Sequence, residues 1–89
     1  MTEGLLWFDD TANRSLADKV TRAAAQHFKK YQRKPTLCYV NPAAIGEQNL
    51  TVNGVQVLPA LRVLPDHFWI GRQDTAPTKQ GLEAVQDGN

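Results

Sequence analysis

One long amphipathic period, over residues 15–33, sets the architecture open to this chain. Leu16, Val20, Ala23, Ala24, His27, Phe28 and Tyr31 recur at spacings of three and four, which aligns them on one stripe of a helix. Lys19, Arg22, Gln26, Lys29, Lys30 and Arg33 recur at the same spacings on another side, and the two arcs are centred about 145° apart. Ser15 with Asp18 three residues later forms a start like a capping box, and Asp18 also suits the positive end of the helix dipole. Pro35 forbids continuation and biases Lys34 to extended geometry. A helix is therefore expected over residues 15–33, apolar on one side and basic on the other.

The remaining apolar runs read as strands. Leu5, Leu6, Trp7 and Phe8 are an unbroken run closed by Asp9 and Asp10, a pattern that suits a strand buried on both faces. Residues 36–40 are rich in β-formers and closed by Asn41 and Pro42. Strand, helix and strand at this length predict a right-handed crossover with the two strands parallel. Residues 42–48 form a loop with room for a helical turn at Ala43, Ala44 and Ile45. Asn53 and Gly54 then mark a two-residue hairpin that pairs Val52 with Val55 and Leu50 with Val57 on one face, and Thr51 with Gln56 on the other. Pro59 marks an edge or a strand end. Residues 61–64 are a candidate short extended segment, and residues 67–71 a last apolar strand. From about Gln73 the composition turns polar, so residues 73–89 are expected to form a flexible tail. The expectation is one α+β domain over residues 1–72. A single helix packs on a small mixed sheet in the order β-α-β-β-β, with room for one extra short strand.

One helix covers one face of a sheet, yet these strands offer apolar side chains to both. Leu5 and Trp7 alternate with Leu6 and Phe8, Cys38 and Val40 with Leu37 and Tyr39, and Phe68 and Ile70 with His67 and Trp69. The second face must be covered by residues 42–50 and 58–65 folding back, or by another copy or a protein partner. Trp7, Tyr39 and Trp69 are the candidate protein-interaction residues.

Composition narrows the function classes. Eighty-nine residues make one domain with little room for an enclosed pocket. One cysteine forms no intrachain disulfide and no Cys-based zinc motif. No basic n-region precedes a long apolar run, and no stretch approaches the ~20 apolar residues that span a bilayer, so a cytoplasmic protein without membrane association is expected. Asn13 and Asn49 stand in glycosylation sequons, which without secretion are chance matches. The net charge of +1 hides a segregation: residues 14–34 hold seven Lys/Arg against one acid, for +6, and the rest of the chain carries −5.

No constellation reaches a catalytic, metal or cofactor signature. Asp9 and Asp10 follow a strand, but adjacent residues point to opposite faces, so turn chemistry suits them better than Mg²⁺ binding. His27 lies on the apolar stripe as a packed imidazole. His67 as a general base has only Asp66, Asp9 or Asp10 as nameable partners. Cys38 sits among apolar strand residues with no cation to lower its pKa, and reads as a small buried hydrophobe. Phe68 and Trp69 suit a core better than a stacking platform. Lys19, Arg22, Lys29, Lys30 and Arg33 are the residues that could track a phosphate backbone, although no nucleic-acid-binding motif accompanies them.

At Cys38, Tyr39, Val40, Asn41 and Pro42, and again over residues 65–71, the chain resembles a group of short uncharacterised bacterial proteins, a likeness that covers most of residues 4–72. That resemblance implies no activity, cofactor or site. The leading expectation is a non-catalytic binding or assembly module that self-associates through an apolar sheet face or edge. The alternative is a small nucleic-acid-binding protein that uses the basic helix face.

Overall fold

The computed structural model describes residues 4–46 and 50–72. Its elements are β1 (Gly4–Phe8), α1 (Leu16–Tyr31), β2 (Leu37–Val40), α2 (Pro42–Ile45), β3 (Leu50–Val52), β4 (Val55–Pro59) and β5 (His67–Gly71). The tail expected over residues 73–89 lies outside the described residues.

Local chemistry explains both ends of α1. The Ser15 hydroxyl accepts the Asp18 N–H at 3.0 Å, which satisfies one of the open donors of the first turn. The Asp18 carboxylate does not reach back to complete a capping box; it lies 3.5 Å from both Arg14 and Arg22. The helix stops two residues earlier than expected. Gln32 takes a left-handed conformation at φ 60° and returns its N–H to Phe28 O, so Arg33 and Lys34 lie beyond the helix. The stop is made by this cap rather than by Pro35. Of the apolar stripe, Val20, Ala23 and His27 are buried against the sheet, whereas Phe28 is 46% exposed.

Five strands form one mixed sheet in the order β1-β5-β2-β4-β3. That is the larger number the sequence allows, but residues 61–64 are a turn and not a strand. β1 and β2 are each antiparallel to β5, so they run parallel to one another as the strand-helix-strand spacing predicts. They are not neighbours, because β5 is inserted between them. The hairpin has the expected register, with Leu50 opposite Val57, Thr51 opposite Gln56 and Val52 opposite Val55. Asn53 at φ 49° and Gly54 at φ 83° supply the left-handed pair that this turn requires. Pro59 ends β4, an interior strand that pairs in parallel with β2. The expected helical turn forms as α2, with Asn41 as its N-cap and Pro42 in its first turn.

The sheet divides the apolar residues into two clusters. Cys38, Val40, Val52, Val55, Val57, Phe68 and Ile70 pack with Val20 and Ala23 under α1. On the opposite face Leu37 and Tyr39 pack with Ala60 and Val63, flanked by Leu58 and Trp69. No described helix is long and apolar enough to cross a membrane.

Candidate protein-interaction surface

Residues 60–66, the connection from β4 to β5, cover the middle of the second face. Ala60 N–H donates to Val40 O at 2.8 Å, Val63 N–H to Ala60 O at 3.1 Å, and His67 N–H to Leu64 O at 3.1 Å. Asn41 Nδ2 donates to Val63 O at 2.9 Å, while Asn41 Oδ1 accepts Ala43 N–H at 2.9 Å, so one amide caps α2 and holds the connection down. Asp66 at φ 64° then turns the chain into β5. This fold-back buries Tyr39, which is 5% exposed.

The cover stops short of β1. On that side Leu6 is 63% exposed, Phe8 54% and Leu64 64%. Trp69 lies half-buried among them, its ring 6.0 Å from that of Tyr39, and the His67 ring lies 5.0 Å from Phe8. Leu6, Arg62, Val63, Leu64, His67 and Trp69 line a shallow, mainly apolar depression here.

Of the three residues expected at an interaction surface, Trp69 lies at this face, half-buried. Tyr39 belongs to the same face but beneath the connection. Trp7 is on the opposite side, because alternation in β1 sets it next to Phe68 and against the cluster under α1. Its Nε1 is buried without a hydrogen-bond partner among the described residues. Leu6 and Phe8, not Trp7, are the β1 residues on this face. The alternation already separates them from Trp7, and only the register shows that they share a face with Trp69.

Backbone hydrogen bonds determine which way β1 presents its main chain. Asp9 N–H donates to Asp66 O at 2.9 Å, a pair that continues the register from Gly4 opposite Gly71 to Phe8 opposite His67. Bonded positions alternate in an antiparallel ladder, so Leu5, Trp7 and Asp9 turn their backbone groups to β5. Gly4, Leu6 and Phe8 turn theirs outward. Two further bonds agree with this phase. Gly4 O accepts the Tyr31 hydroxyl at 2.8 Å, and Gly71 O, opposite Gly4, accepts Thr36 N–H on its far side at 2.8 Å. β1 is thus an edge strand with outward main-chain groups beside exposed apolar side chains, and its five residues carry neither charge nor proline.

The basic residues sit elsewhere. Arg22, Lys29, Lys30 and Arg33 are exposed, whereas Lys19 lines a cleft with Leu16, Asn41, Ala44, Asp66, His67 and Phe68. Arg22 shares Asp18 with Arg14, and Lys30 Nζ lies 5.3 Å from the Tyr31 ring centre. Arg33, past the helix cap, offers its carbonyl oxygen to His27 Nδ1 at 3.0 Å.

Asp9 is buried, accepting Thr11 N–H at 3.0 Å and Arg14 Nη1 at 2.9 Å. The Thr11 N–H, and after it the Arg14 guanidinium, hold its carboxyl far below the usual carboxylate range. His27 is buried on the sheet side of α1, its ring 4.8 Å from Tyr31. His67 Nδ1 faces Pro65 O at 2.8 Å and therefore donates to it. Burial pushes the Cys38 thiol up to about 12. Among the described residues, no three His, Cys, Asp or Glu side chains converge as a metal site.

No protein-family model, curated protein or solved structure matches the chain.

Proposed function

We propose that the chain is a small, non-catalytic, cytoplasmic binding or assembly module that self-associates through the sheet face beside β1. The observation that carries this reading is the coincidence of two features in one strand. β1 ends the sheet with outward main-chain groups, and its side chains away from α1, Leu6 and Phe8, are each more than half exposed. Exposed apolar patches at a sheet edge are where chains pair. The test replaces both side chains, as Leu6→Ser with Phe8→Ser. Because both are exposed, the variant keeps the circular-dichroism spectrum of the native chain while its sedimentation coefficient falls to the monomer value. An unchanged association state contradicts the reading.

The second reading is nucleic-acid binding by the outer side of α1. It is favoured by exposed Arg22, Lys29 and Lys30 on an element whose one acid, Asp18, is already shared between two arginines, with exposed Arg33 just past its cap. Phosphate contacts weaken steeply with salt and apolar assembly does not, so the salt dependence of any complex separates the two.

A further inference from the structure

We infer that the partner at this face is a second copy of the chain, joined by antiparallel pairing of β1 with β1 about a two-fold axis at Leu6; this rests on the self-association reading above. The outward main-chain groups belong to Gly4, Leu6 and Phe8, which are evenly spaced about Leu6. A two-fold at that residue sets Leu6 opposite Leu6 and Gly4 opposite Phe8 of the second copy, so each outward N–H meets an outward carbonyl, and Gly4 O, which already accepts the Tyr31 hydroxyl, takes the added bond on its second lone pair. An isologous contact needs this self-complementarity.

Side chains at paired positions of a sheet share a face. Leu6 and Phe8 of both copies therefore merge into one apolar strip, continuous with Trp69 and Leu64 on each side. Gly4 suits its place opposite Phe8. It has no side chain, and the Trp69 indole lies directly over it. The ring of Phe8 from the second copy then comes to rest beside that indole, covering two apolar surfaces that each copy leaves open.

Charge fits the same arrangement. The Tyr31 hydroxyl on Gly4 O holds the basic end of α1, with Lys29 and Lys30 in its last turn and Arg33 and Lys34 just beyond, over the start of β1. The end of β1 runs into Asp9 and Asp10, of which Asp10 is exposed. Antiparallel pairing brings the acidic turn of each copy to the basic helix end of the other. Parallel pairing would stack acid on acid. The opposite edge, β3, is only three residues long, and its outer face shows Thr51 rather than an apolar side chain. The product is a ten-stranded sheet with both long helices on one face.

The test is disulfide trapping of Leu6→Cys, with Leu61→Cys as an equally exposed control away from the axis. Directly opposed bonded residues have Cα atoms about 5.5 Å apart, within disulfide range. The native Cys38 is buried and stays out of the reaction. Light scattering on the native chain runs in parallel. The expected result is a native dimer, with Leu6→Cys converted to a linked dimer on a non-reducing gel at least tenfold faster than the control. A native dimer in which Leu6→Cys links no faster than Leu61→Cys overturns the β1 pairing and leaves self-association by another contact. A native monomer overturns both.

Discussion

The Trp69 indole lies across Gly4, so close that a β-carbon on Gly4 would overlap the indole ring. The glycine is an opening that lets an aromatic side chain on β5 lie flat over the edge strand, close to Tyr39. Gly4→Val should therefore destabilise the fold by about 1–3 kcal/mol, the usual cost of overpacking. In a Trp69→Ala background the same change should cost much less, because the ring is gone. Urea denaturation of the four chains of this cycle measures the coupling. Equal costs in both backgrounds would mean that the indole has no part in the requirement for glycine.

Asp9 predicts how stability responds to acid. Its folded pKa is depressed by Thr11 N–H and Arg14, so its contribution is fully present above the unfolded carboxylate pKa of about 4 and is lost as pH falls below that value. Asp9→Asn should lower the melting temperature at neutral pH, and the gap to the native chain should narrow between pH 5 and pH 2. Thermal melts across that range check it. A gap that widens with acid would give the linkage the wrong sign.

Asn41 joins two structures through one side chain, the α2 cap and the cover over Tyr39. Asn41→Ala removes both bonds and should cost about 1–2 kcal/mol. Asn41→Asp keeps the cap acceptor but loses the donor to Val63 O, and should fall between the two in chemical denaturation. An Asp variant no more stable than the Ala variant would show that the Val63 bond carries the effect.

Cys38, fully buried with its thiol at about 12, should not react with a thiol reagent at pH 8 in the folded chain. Labelling should follow the unfolding rate and rise in step with urea. Fast labelling of the native protein would mean that the centre of β2 opens far more readily than its packing implies.

Much of this fold was legible because its signals are local. Asn53 and Gly54 dictate their turn, and the turn dictates the Val52–Val55 register. The spacing from Leu16 to Tyr31 dictates the buried side of α1, and alternation sorts the faces of β1, β2 and β5 correctly. What stayed hidden depends on contacts between distant residues. Nothing near Leu5 or Tyr39 records that β5, some thirty residues past β2, will be inserted between their strands. That insertion determines which of Trp7 and Leu6 shares a face with Trp69. That residues 58–65 could fold back over the second face was legible, but not that they do, since the cover by residues 60–66 hangs on Asn41 and on a left-handed Asp66. The two-residue error at the end of α1 is different in kind: Gln32 rarely caps a helix in this way, and Pro35 offered a more conspicuous stop.

Solution molar mass, measured by light scattering at low and high salt over a range of concentrations, tests the central claim most directly. Self-association through Leu6, Phe8 and Trp69 predicts a species of twice the chain mass that persists in high salt, because apolar burial supplies most of its stability. A chain that stays monomeric at both salts contradicts the account, and would turn attention to the basic side of α1 and its binding of labelled DNA and RNA.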